Sequence, residues 1–122
     1  QGNAAAQIAA GTSYLEGLGV EKDPDKAAAW IGKAANQNSD LAQILLGLMY
    51  HEGRGVTMDK AQAYQWFLLA AAQKDQTNWQ KLGVELANEV KPQLSPEDIL
   101  KAEAFVATWV PNGTPTGTPT QP

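Results

Sequence analysis

The sequence contains no cysteine. Disulfides, thiolate nucleophiles and the common structural zinc sites are excluded with it. His51 is the single histidine. A Ser-His-Asp triad would have to pass through that residue, and a metal site would have to rest on carboxylates. β-branched residues are sparse while alanine is frequent, as in Ala27-Ala28-Ala29, which favours helix over strand. No apolar run approaches the ~18 residues of a membrane span. Basic charge is not in excess either: 9 Lys and Arg stand against 13 Asp and Glu, a net charge of -4. Binding through phosphate counterion release needs a basic surface, so nucleic acid is not an expected partner. An initiator Met and a signal-peptide pattern are both missing. A piece or processed form of a longer protein is therefore expected. Lack of cysteine leaves the compartment open, because cytosol and bacterial periplasm both accept such chains.

What is present is a repeat. Sliding the sequence by 36 residues aligns 6–41 with 42–77, and 15 of the 36 positions are identical. The matched pairs include Gly11/Gly47, Tyr14/Tyr50, Gly17/Gly53, Gly19/Gly55, Asp23/Asp59, Ala27/Ala63 and Trp30/Trp66. A fixed period of this length is the signature of a stacked array. Each unit reads as two helices. First helices are expected over Ala4 to Glu16 and Asp40 to Glu52; in the second, Ala42, Leu45, Leu46, Met49 and Tyr50 recur at helical spacing. Asp23 and Asp59 are good N-caps for the second helices, and Pro24 occupies the favoured first position. Trp30 and Trp66, flanked by small alanines, are expected in the core.

The register continues beyond both copies. Gln1 aligns with Gln37 and Gln73, so Gly2 is expected to cap a preceding helix. Downstream, Trp79, Leu82, Gly83 and Leu86 continue the first-helix pattern in a third, degenerate unit. There the glycine turn gives way to "VKPQLSPED", where Ser95, Pro96, Glu97 and Asp98 form a strong helix start. Ile99, Ala102, Phe105, Val106 and Trp109 make the last stripe, suited to a terminal capping unit. Residues 111–122, "PNGTPTGTPTQP", are low-complexity and cannot build a core. This tail is expected to be extended and to lie against a groove like a ligand.

The motifs "AGTSYLEGLGVEKDPDKAAAWIGKAA" and "LGLMYHEGRGVTMDKAQAYQWFLLAA" resemble the Sel1-like repeats, relatives of the tetratricopeptide repeats. Departures are small: Ala10 for the usual Leu, Gln62 for Lys, and Asn38 and Lys74 for the helix-ending Gly. The resemblance implies an all-α, right-handed solenoid: a repeat domain over 1–110, with units near 4–37, 40–73 and a degenerate 76–109. It implies adaptor work in protein complexes, with no shared catalytic site and no cofactor. Many such proteins are bacterial and serve the cell envelope or polar localisation. A periplasmic or otherwise extracytoplasmic location is expected on that basis, with the cytoplasm as the alternative.

The Gly-x-Gly loops "EGLGVEKD" and "EGRGVTMD" are expected to be turns, since a dinucleotide fingerprint needs a preceding strand and a third glycine. His51 has no partner for catalysis or metal binding. A helical wheel places Gln43, Gly47, Tyr50 and Arg54 on one strip, Gln7, Gly11, Tyr14 and Leu18 on its counterpart, and Trp79 and Gly83 on the third. Core packing is one reading of the tyrosines. The sharper one is a concave binding strip formed by Gln7, Tyr14, Leu18, Gln43, Tyr50, Arg54 and Trp79, with glycine leaving room for a peptide backbone. A protein or peptide partner is expected. The alternative is cell-wall polysaccharide, read by Trp79 and Tyr50.

Overall fold

A computed structural model describes residues 3–73 and 77–111. Six helices follow one another: α1 (Ala4–Glu16), α2 (Pro24–Ala35), α3 (Asp40–Glu52), α4 (Lys60–Ala71), α5 (Asn78–Val90) and α6 (Pro96–Thr108). A 3-10 turn, Lys91–Gln93, separates the last two. No strand occurs among the described residues. Each α-helix starts on a side-chain cap. Asp23, Asp59 and Ser95 accept the expected bonds from the backbone three residues on, and Asn3, Ser39 and Thr77 do the same for α1, α3 and α5. The expectations for Gln1, Gly2 and the tail beyond Pro111 lie outside the described residues.

The glycine turns have the same geometry in both units. Gly17 and Gly19 take φ of 74° and 76°, Gly53 and Gly55 take 70° and 78°, a region closed to most side chains. The backbone N–H of Leu18 donates to Ser13, and that of Arg54 to Met49, closing each first helix. Asp23 and Asp59 donate their backbone N–H to Tyr14 and Tyr50, which fixes where the second helix begins. The loops are turns: the N–H groups of Gly17, Leu18, Gly53 and Arg54 are spent on the helix they end. Asn38 replaces the glycine that usually follows the second helix, and it adopts the same left-handed conformation, φ 74°.

Each pair closes tightly because a glycine on the first helix faces a large side chain on the second. A Cβ at Gly11 would stand 2.6 Å from Ile31 Cγ1, and one at Gly47 would stand 2.5 Å from Phe67 Cε1. Next to it, α4 also meets α5, where Gly83 abuts the backbone at Ala71. Helix α4 is therefore apolar nearly all round. Trp66 and Leu69 face the cluster built from α2 and α3, while Tyr64 and Phe67 face the cluster shared with α5 and α6. Burial, with Glu103 adding, pushes the Tyr64 phenol above its ordinary value of 10.0.

The third unit departs from the expected helix pair. α6 does not pack as a hairpin on α5; it lies on α4. The linker explains this. Without a glycine turn, the 3-10 turn at Pro92 and the extended Leu94 (φ -109°, ψ 153°) lead the chain away from α5. The stripe Ile99, Ala102, Phe105 and Val106 then covers the outer side of α4, with Phe105 edge-on to Trp66 at 6.2 Å. Of Trp30, Trp66 and the stripe residue Trp109, only Trp66 is buried in the core. Trp109 is half-buried at the margin. Trp30 is half-exposed, with the Lys33 ammonium 4.7 Å from its ring centroid. Among the described residues, nothing covers Trp30 as Phe105 covers Trp66.

Candidate interaction surface

The seven residues expected to share one open strip are divided by the structure. Gln43 is 0% exposed and Gln7 only 7%. The glycine notches beside them are already filled, by Ile31 at Gly11 and by Phe67 at Gly47, so no ligand backbone can enter. Tyr14 and Tyr50 are half-buried against the core; Lys26 stands 5.5 Å from the Tyr14 ring. Arg54 is half-buried and reaches back to donate to the Leu15 carbonyl at 3.4 Å, tying the second loop to the end of α1. Leu18 (60% exposed) and Trp79 (41%) are open. The reason is geometric: the arc carrying Gln43, Gly47 and Tyr50 is the one that α3 turns toward its neighbours. It repeats because it is frame.

What the glutamines do instead is join units. Gln43 Nε2 donates to the Ala35 carbonyl at the end of α2 (3.2 Å) and to Asn38 Oδ1 (3.4 Å), and its Oε1 accepts from Gln73 Nε2 (3.3 Å). Gln73 also donates to Asn38 Oδ1 at 2.7 Å. One period earlier Gln37 donates to Gln7. In the third unit Trp79 occupies the register of Gln43, and the next residue takes over: Gln80 Nε2 donates to the Ala71 carbonyl at 2.8 Å. An amide seam thus binds the ends of α2 and α4 to the following first helix through Gln43 and Gln80, while Gln37–Gln7 and Gln73–Gln43 tie the two helices of one unit. Gln43→Ala should lower stability by about 1–3 kcal/mol, because it removes buried hydrogen bonds and leaves a small cavity. Urea denaturation would measure it, and no loss would mean that the seam is dispensable.

The outward side of the first helices is a different arc. On α3, Leu41, Leu45, Leu48 and Glu52 fall within roughly 60° at about 100° per residue, opposite the buried arc. All three leucines are half-buried and Glu52 is exposed. The same register holds Ala5, Ala9, Thr12 and Glu16 on α1, and Lys81, Val84 and Asn88 on α5. Ala5/Leu41, Ala9/Leu45 and Thr12/Leu48 differ between the first two units, while Glu16/Glu52 and the inward Gln7/Gln43, Gly11/Gly47 and Tyr14/Tyr50 repeat. That variation was the available sequence signal for the surface.

Two other features have some marks of a site. A groove of about 390 Å³ runs between Leu69, Gln73 and Asn38 on one side and Val106 and Trp109 on the other. His51 is half-buried with Lys60 Nζ 3.4 Å from its Nε2, with no nucleophile or acid converging on it. Among the described residues no group of three or more His, Asp or Glu could hold a metal, and no helix is long and apolar enough to cross a membrane. Nor are Trp79 and Tyr50 brought together. Thr77 donates to Asp40 at 2.7 Å, so α3 and α5 start side by side. Trp79 lies at that end, and Tyr50 is about 15 Å further along α3.

Successive helix pairs joined by short turns and stacked through a common seam define an α-solenoid. Residues 4–39 and 40–75 each match the Sel1 repeat, and the chain belongs to that family. It is similar to a protective antigen present in uropathogenic Escherichia coli strains and described as displaying an SLR fold. That likeness has a TM-score of 0.77 at 31% identity and covers 99% of this chain and 28% of the other. It is also similar to a Sel1 repeat protein from Oxalobacter formigenes (TM-score 0.60, 38% identity, 77% of this chain and 25% of that one). The chain thus spans about a quarter of the length of the solved structures it resembles. No curated protein matches it. Sel1 repeats are in general protein–protein interaction modules, typically non-catalytic scaffolds.

Proposed function

We propose that this segment is a non-catalytic adaptor that holds a protein partner on the outward face of its first helices. The observation that carries this reading is the leucine ladder Leu41, Leu45 and Leu48 on the solvent side of α3. A helix in the middle of a stack normally turns polar residues outward. Leu45 and Leu48 rest part of their surface on the core clusters, yet all three leucines keep an accessible part that a partner would bury. Of the seven residues first expected at the interface, Leu18 and Trp79 keep the exposure a partner needs. The work fits organisation of the bacterial envelope or a cell pole, at an extracytoplasmic location. Similarity to a protective antigen supports exposure outside the cytoplasm, and the family resemblance supports the organising role.

The test uses a photoreactive residue at position 45 in the full chain, expressed in its own host. A specific crosslinked protein is expected from position 45 and not from position 100, an equally apolar and 66% exposed site on α6. Equal capture from both sites, or none from position 45, would remove the support for this face. A reporter active only outside the cytoplasm, fused to the natural protein, would decide the compartment.

A further inference from the structure

Resting on that reading, we infer that the occupant of this face is an amphipathic α-helix with aliphatic residues at i, i+4 and i+7 and basic residues at the end that meets Glu16 and Glu52. The first ground is hydrogen bonding. The central floor is Leu41, Leu45 and Leu48, and the same register of α1 carries the exposed Ala5 and Ala9. None of these side chains can answer a peptide N–H or C=O. An extended segment laid here would lose water from its backbone with nothing in exchange, which is costly for every group covered. A helix arrives with its backbone already paired and needs only apolar contact.

The second ground is shape. The floor residues form an i, i+4, i+7 stripe on α3, the spacing at which side chains of two packed helices meet. The matching register of α1 carries the short side chains of Ala5 and Ala9, a low wall past which a cylinder about 10 Å across can settle on α3.

The third ground is charge. Helices α1, α3 and α5 carry five carboxylates (Glu16, Asp40, Glu52, Glu85, Glu89) and a single lysine, Lys81. Glu16, Glu52 and Glu89 sit in the last turns of their helices, where the dipole is already negative and a carboxylate is unfavourable. All three are exposed, and the one ion pair among the described residues, Lys101–Glu97, lies on α6. A local rule is thus broken repeatedly along one rim with no compensation in the fold. Bases on the docked helix supply it. Lys81, near the start of α5, asks for the opposite sign at the other end and so sets the direction of docking.

A displayed library of random 16-residue peptides, selected on the full chain, tests this. The expected winners have aliphatic residues at helical spacing with Lys or Arg toward one end, and become helical by circular dichroism on binding. Their affinity should fall about tenfold or more with Leu45→Asp, the scale of one lost buried anchor. Because Leu45 is half-buried, Ala9→Gln is the companion: an exposed, uncharged change that raises the wall, with the same loss expected and no effect on folding. Glu16→Gln with Glu52→Gln should weaken binding about threefold at low salt, and the effect should vanish near 0.5 M salt. Winners that depend on Leu45 and Ala9 but are proline-rich, extended or acidic would overturn the helix and leave the adaptor face standing. Winners indifferent to Leu45→Asp and Ala9→Gln, or no winners, would overturn the face itself.

Discussion

Phe67→Ala should cost about 3–5 kcal/mol, the range for emptying a buried aromatic site. No other single truncation is expected to do more damage, because Phe67 serves three helices. Its side chain is 1% exposed. Its ring fills the notch at Gly47 on α3, and its carbonyl lies 3.0 Å from where a Cβ of Gly83 on α5 would be. The hole left by alanine opens at the junction of α3, α4 and α5, and rigid helices cannot close it. Domains of this size hold about 5–15 kcal/mol in total, so the loss is a large fraction. A fall in Tm on the order of 20 °C follows. Calorimetry and urea titration measure it. The mechanism has its own check. Gly47→Ala alone should destabilise by about 1–3 kcal/mol through the clash with the ring. In a Phe67→Leu background the same change should become neutral or favourable, since alanine suits a helix interior better than glycine by roughly 1 kcal/mol. Additive effects of the two changes would mean that ring and notch are not the coupled pair described.

The frame of this protein was legible because it repeats. Fifteen identities at a fixed spacing marked Gly47, Tyr50, Asp59 and Trp66 as positions the fold cannot vary, and the helix limits followed from caps and glycines. The strip that the helical wheel draws is divided in the structure for a related reason. Gln43, Gly47 and Tyr50 recur, and recurrence marks what units share: the contact of first helix with second. Gln43 was hard to place inside, since a glutamine is seldom fully buried; only its bonds to Ala35, Asn38 and Gln73 explain it. Of the outward leucines, Leu45 falls in the apolar stripe read from the sequence, and Leu41 and Leu48 stand outside it. A wheel alone cannot tell which edge of a broad apolar arc faces out until the neighbours are in place. The route of α6 was equally hidden. Its stripe announces a buried face, but whether that face meets α5 or α4 depends on the path taken at Pro92 and Leu94.

Gly55→Ala and Gly19→Ala change the same position of two successive loops, and their effects should differ by about 2 kcal/mol. Both glycines have positive φ, 78° and 76°, so each alanine carries the left-handed penalty of roughly 1–2 kcal/mol. The surroundings are not the same. A Cβ at Gly19 meets nothing within 4 Å. At Gly55 it would stand 2.3 Å from the Pro24 carbonyl oxygen and 2.8 Å from its carbon, in the first turn of the preceding unit's second helix. That is backbone, held by the Asp23 cap, and it cannot swing aside as a side chain would. Either the second loop lifts off α2 or the units shift, with overpacking adding about 1–3 kcal/mol. The Arg54 bond to Leu15 crosses the same boundary and should be lost with it. Gly55→Ala therefore reads the stacking of one unit on the next, and Gly19→Ala reads the turn alone. Chemical denaturation of the two variants side by side gives the difference. Equal losses would mean that the loops act independently and that the units are joined only by their helices and the amide seam.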